Sequence, residues 1–83
     1  MDFRVYVVVE VPLIEKEYEL LLPIDRRIHD ILKIFKKSFP ELSEGYYAKN
    51  EFYLYNKSTG KMYDMNVIIK NSDIKTGTRL VLA

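Results

Sequence analysis

The sequence predicts an α+β domain in which one helix lies across a single face of a mixed β-sheet, in the element order ββαββ. Three observations lead there. Between Asp25 and Phe39 the apolar residues Ile28, Ile31, Leu32, Phe35 and Phe39 recur at helical spacing, so they stack in one stripe with Arg26, Asp30, Lys33 and Lys37 opposite. Before this stripe two runs alternate apolar and polar residues, as half-buried strands do, and after it two more such runs follow. A one-sided helix must be covered, and the sheet supplies the cover.

The first run places Phe3, Val5, Val7, Val9 and Val11 on one face and Arg4, Tyr6, Val8 and Glu10 on the other; Pro12, which cannot donate to a ladder, ends it. The second, from Lys16 to Leu22, sets Tyr18, Leu20 and Leu22 against Glu17, Glu19 and Leu21. If Pro12 to Glu15 form a four-residue hairpin loop, Val11 opposes Lys16, Val9 opposes Tyr18, Val7 opposes Leu20 and Val5 opposes Leu22, and the apolar faces coincide. That register also sets Glu10 against Glu17, a like-charge pair that a bulge near the loop would relieve. Pro23 stops the second strand, Asp25 is placed as helix N-cap, and Pro40 forbids continuation of the helix. Residues 41–50 read as a polar loop.

Phe52 to Tyr55 alternates again, Asn56 to Gly60 is a turn by composition, and Lys61 to Tyr63 reads as a short returning strand. Val67 to Ile69 is an apolar knot, Asn71 to Gly77 a turn whose Ile74 plugs back into the core, and Arg79 to Ala83 a closing strand. Together these make the β-grasp architecture, whose strand order is 2-1-5-3-4 when the short return over Lys61 to Tyr63 is counted as a fourth strand.

The bulk composition narrows the function. The 83 residues are expected to form a single domain spanning 1–83, close to the size at which one apolar core just suffices. With 13 Lys+Arg against 12 Asp+Glu, no global field draws the chain to nucleic acid or anionic lipid. The absence of cysteine removes disulfides, thiolate nucleophiles and Cys-based zinc sites, and suits a reducing cytoplasm. The opening Met1-Asp2-Phe3-Arg4 lacks a secretory n-region, and no stretch is long enough for a membrane span, so the Asn56-Lys57-Ser58 sequon reads as chance.

The tail Asn71-Ser72-Asp73-Ile74-Lys75-Thr76-Gly77-Thr78-Arg79-Leu80-Val81-Leu82 resembles the end of ubiquitin-like domains, where a buried Ile in a turn precedes a tight bend and a closing Leu-x-Leu strand. More narrowly, Tyr18-Glu19-Leu20-Leu21-Leu22-Pro23 before the helix, and Ile74-Lys75-Thr76-Gly77-Thr78-Arg79-Leu80, resemble the YukD/EsaB family, small ubiquitin-like proteins encoded with bacterial type VII (WXG100/ESX-like) secretion systems. The resemblance implies a cytoplasmic, non-enzymatic accessory that works by binding a protein partner, possessing no cofactor. Ubiquitin and the sulfur carriers are activated through a terminal Gly-Gly on a flexible tail, which glycine's lack of Cβ lets thread into an adenylating enzyme. Here the sequence stops at Ala83, so C-terminal activation is the disfavoured alternative and an RNA-binding β-grasp module a second.

Candidate sites follow from the faces. His29 flanks the helical stripe with no nucleophile or acid beside it in sequence, and Glu15, Lys16, Glu17 and Glu19 read as a charged edge strand sooner than a metal or acid–base cluster. Arg26, Arg27, Lys33, Lys36 and Lys37 form a basic helix face, either plainly solvated or a dock for an acidic partner; RNA would further require stacking aromatics there. Arg26 and Arg27, in the predicted first turn, oppose the helix dipole. If Phe3, Val5 and Val7, Phe52 and Leu54, and Leu80 and Leu82 face the helix, then Arg4, Tyr6, Val8, Tyr53, Tyr55, Arg79 and Val81 share the opposite face on three adjacent strands. Tyrosine, arginine and valine together have an interface-like composition, although tyrosine and valine are also ordinary strand formers. Ile34, off the stripe, is a lesser contact candidate.

Overall fold

The computed structural model describes residues 3–38 and 52–83. Its first two strands, β1 (Arg4–Val11) and β2 (Lys16–Pro23), pair antiparallel in the expected register, Val11 to Lys16 through Val5 to Leu22. The connection is a 3-10 turn over Pro12–Ile14, closed by the Glu15 N–H donating to the Pro12 carbonyl at 3.0 Å. Glu15 takes the left-handed conformation there, at φ 53. No bulge intervenes, and Glu10 does stand opposite Glu17. Their repulsion is answered from later in the chain instead: Lys57 Nζ, from a turn, lies 2.7 Å from Glu10 Oε1 and Arg79 Nη1 lies 2.8 Å from Glu17 Oε1.

The helix α1 (Ile28–Ser38) begins three residues beyond Asp25, so Asp25 is not its N-cap. The first free amides are taken by backbone: Ile28 N–H donates to the Val67 carbonyl at 2.9 Å and His29 N–H to the Met65 carbonyl at 3.0 Å. Arg26 and Arg27 therefore precede the helix instead of opposing its dipole from the first turn, where Asp30 sits favourably. Ile28, Ile31, Leu32 and Phe35 are buried as the stripe requires. Phe39, the stop at Pro40 and the loop over 41–50 lie outside the described residues.

β3 (Leu54–Asn56) and β4 (Thr78–Leu82) complete a four-stranded sheet of order β2-β1-β4-β3, with β1 and β4 parallel at its centre and β3 antiparallel to β4. The expected return over Lys61 to Tyr63 shrinks to a single bridge between Tyr55 and Met62. The chain leaves the sheet at once because Tyr63 turns its ring into the core, where it is buried, and a turn at Asp64 follows, with Asn66 N–H donating to Asp64 Oδ1 at 2.8 Å. Phe52 and Tyr53 precede β3 instead of belonging to it, although Tyr53 and Ala83 exchange both backbone hydrogen bonds, at 2.8 and 3.0 Å.

Val7, Val9 and Val11 of β1, Leu22, Leu54, Leu80 and Leu82 face the helix, and Phe52, Tyr63, Ile69 and Ile74 close the core from the connections. Each such side chain contributes about 1.5–3 kcal/mol by leaving water. Phe3 is the exception to its row, 61% exposed, because it lies ahead of the first paired residue and beyond the helix's cover.

Candidate protein-binding surface

The period-two alternation that buries the odd residues of β1 turns its even ones away from the helix. The ladder registers place those outward residues side by side. Leu21 opposes Tyr6; Glu19 opposes Val8, which opposes Arg79; Glu17 opposes Glu10, which opposes Val81, which opposes Tyr55, which bridges to Met62. Tyr6, Val8, Val81 and Tyr55 thus form a diagonal band across β1, β4 and β3. Tyr53 adjoins it beside Ala83, and Arg4 lies at its far end opposite Pro23.

Two large side chains extend the band that the patch drawn from sequence omits: Leu21 on the β2 edge, 60% exposed, and Met62 on the other, 50% exposed. Leu21 carried a signal in its strand period, since it shares a face with Glu17 and Glu19. Met62 did not, because its placement depends on the one bridge to Tyr55. Tyr6 is 37% exposed, and Val8, Tyr53, Tyr55 and Val81 are half-buried by their neighbours.

The face is not uniformly apolar. Glu10, Glu17 and Glu19 interleave with Arg79 and Lys57, and the two ion pairs cross the strands and hold those long side chains over the sheet. The Tyr6 phenol is held above its ordinary pKa, first by partial desolvation and then by the Glu19 carboxylate that accepts its hydrogen bond. Glu17 and Glu19 are thereby engaged with Arg79 and Tyr6, and among the described residues no group of three or more His, Asp or Glu could hold a metal ion. An amphipathic face with aromatic hydroxyls and matched charges suits recognition by another protein surface.

The basic helix face is less continuous than its sequence. Lys33, Lys36 and Lys37 are exposed on α1 beside the exposed His29, but Lys36 Nζ sits 5.1 Å from the centroid of the Phe52 ring, a cation–π contact with a largely buried partner. Arg26 and Arg27 lie in the segment ahead of the helix, Arg26 with its Nε 4.0 Å from Asp25 Oδ1.

Tyr63 was not singled out from sequence. Its hydroxyl donates to Asp73 Oδ1 at 2.6 Å and accepts from Asn56 Nδ2 at 3.0 Å, while Asn56 Oδ1 caps the Ser58 and Thr59 amides at 2.9 and 3.3 Å. Burial, then the Asp73 contact, push the Tyr63 hydroxyl up to about 12. This network ties the β3 turn to the segment before β4 and is structural in role.

No family model matches the chain, and no curated protein matches it. Solved structures do. The N-terminal ubiquitin-like domain of the 4931431F19Rik protein aligns with a TM-score of 0.74 at 17% identity, over 100% of this chain and 76% of that one. A chain of the ESX-3 core complex aligns with a TM-score of 0.71 at 16% identity, over 98% of this chain and only 16% of that one. A chain of a toluene 4-monooxygenase HD complex aligns with a TM-score of 0.75 at 5% identity, over 96% of each. At such identities the likeness is one of architecture: this chain has the ubiquitin-like β-grasp fold.

Proposed function

We propose that this chain is a YukD/EsaB-like protein that acts in the cytoplasm by binding, without conjugation or catalysis, as an accessory or regulator of a type VII secretion machine. The observation that carries the reading is the band Leu21, Tyr6, Val8, Val81, Tyr55 and Met62, which spans every strand on the face away from the helix. Exposed bands of this composition on small domains mark contact surfaces. The likeness to a chain of the ESX-3 core complex supports the choice of machine, as does the resemblance carried by the Tyr18 to Pro23 and Ile74 to Leu80 stretches. Among the described residues no helix is long and apolar enough to cross a membrane.

The test is affinity capture from bacteria carrying a type VII system, with bound proteins identified by mass spectrometry. A secretion-complex component should be retained by the native chain and lost with Leu21→Glu or Tyr55→Lys, while melting temperatures stay within about 4 °C, equivalent to roughly 1 kcal/mol or less in a domain this size. Capture of no such component, or capture that survives Tyr6→Lys combined with Tyr55→Lys, overturns the reading.

A further inference from the structure

The sheet has two outer edges, and among the described residues only one of them is covered. Outside β3, the Asn56 N–H donates to the Lys61 carbonyl at 2.8 Å and the Tyr63 N–H to the Leu54 carbonyl at 2.9 Å, so the returning chain takes up hydrogen bonds on that side. β2, at the other end of the sheet, pairs with β1 alone.

Which groups β2 turns outward follows from Tyr6. Its carbonyl accepts from the Gly77 N–H at 2.8 Å and its N–H donates to Thr76 Oγ1 at 3.2 Å, so both point to the β4 side. In an antiparallel ladder the residue opposite then points its own two groups away as well, and that residue is Leu21. The Ile24 N–H, bonded to the Phe3 carbonyl at 3.2 Å, fits the same phase. Strand period gives Glu19 and Glu17 outward groups too, and neither a bulge nor an internal proline interrupts the row. All three residues are exposed, and among the described residues nothing partners these N–H and C=O groups.

We propose that the β2 edge binds an extended segment of a partner protein as an added strand. A row of alternating donors and acceptors that repeats roughly every 7 Å is matched by another extended backbone. Nucleic-acid and lipid phosphates accept without donating and leave the carbonyls unanswered. A second copy of this chain is opposed by charge: the one two-fold antiparallel register that uses all three residues sets Glu19 against its own copy. The two faces decide the composition of the segment. On the helix side Tyr18 and Leu20 are half-buried and suit β-branched side chains; on the outer side Glu17 is paired with Arg79, while Glu19 accepts from the Tyr6 phenol, which carries no charge to cancel its own. The segment therefore alternates β-branched residues with lysine or arginine. The edge meets the outer band only at Leu21, and the inference does not depend on the secretion reading.

The probe is the capped peptide Thr-Lys-Val-Lys-Val-Lys-Thr, titrated into the full chain while amide exchange is followed by NMR. At saturation, exchange at Glu17, Glu19 and Leu21 should slow about tenfold or more, with Tyr18 and Leu20, whose amides face β1, little changed. Two versions methylated on backbone nitrogen, one at the lysines and one at the valines, distinguish strand addition from side-chain contact. Only one set of amides can face β2, so one version should bind and the other should not. Glu19→Pro removes an outward donor without touching the β1 ladder and should weaken Kd about thirtyfold, against about threefold for Glu19→Gln, while Tyr55→Lys leaves it unchanged. The proposal is overturned by an absence of saturable binding up to about 1 mM peptide, by equal affinity for all the peptides, by unslowed exchange at the outward amides, or by Glu19→Pro binding as Glu19→Gln does. A sedimentation mass that doubles with concentration and returns to the monomer in Glu19→Pro overturns it as well, by giving the edge to a second copy.

Discussion

Tyr63 is the residue on which polar order in the core depends. Its ring is buried among apolar side chains, and its hydroxyl is both donor to Asp73 and acceptor from Asn56, so neither partner is left unsatisfied. Tyr63→Phe removes that oxygen and leaves Asn56 Nδ2 without it, which should lower the unfolding free energy by about 1–3 kcal/mol in urea titrations. The pH dependence has a definite sign. With the folded-state hydroxyl at about 12 and the unfolded one near 10, the unfolded chain releases its proton first, so this contribution is whole below pH 10 and is lost as pH rises toward 12. Tyr63→Phe should therefore flatten the fall in melting temperature across that alkaline window. In sequence Tyr63 was one tyrosine among seven. Nothing local separates it from Tyr55, since burial was conferred by the chain's departure from the sheet one residue after the Met62 bridge.

Among the elements, the helix shows how far local signals reach. The spacing of Ile28, Ile31, Leu32 and Phe35 identified the buried stripe, because helical geometry leaves no other way to place them together. The start of the helix was not legible. Asp25 has a side chain that caps helices, but the Val67 and Met65 carbonyls reach the first amides from more than thirty residues away. Asp25→Ala should accordingly cost less than about 0.5 kcal/mol, the low limit of what an N-cap loss costs, when unfolding is followed by circular dichroism in urea. A loss of 1 kcal/mol or more would restore Asp25 to the capping role. The hairpin was legible throughout, since two apolar faces and a four-residue loop admit one register. The relief of Glu10 and Glu17 was not, because Lys57, in the turn after β3, and Arg79, on β4, come from distant segments that sequence does not place beside them.

At the scale of the whole molecule, β4 is the element that unites the two halves. It pairs parallel with β1 and antiparallel with β3, and Leu80 and Leu82 are fully buried between these neighbours and the helix. Leu80→Ala should cost about 2–5 kcal/mol, a large share of the stability of a domain this size, and hydrogen-exchange protection should fall in β1 and β3 together. Loss confined to β3 would mean that the two pairings open separately. With the helix covering one side of the sheet, the other is left to the Leu21 to Met62 band, while Phe3 and Ile34 stay in water.

The sequence by itself determined which residues could be buried and how the hairpin aligns, because side-chain period and loop length act over a few residues. It also placed Tyr6, Val8, Tyr55 and Val81 on one side of a sheet. Tertiary structure alone decided that Met62 joins them, that Leu21, already on the outer face of β2 by its period, stands beside Tyr6, that Phe3 stays exposed, that the expected fourth strand is a single bridge, and that Lys36 turns toward Phe52. Those outcomes depend on contacts between segments distant along the chain, whose distances are set only when the sheet closes around β4.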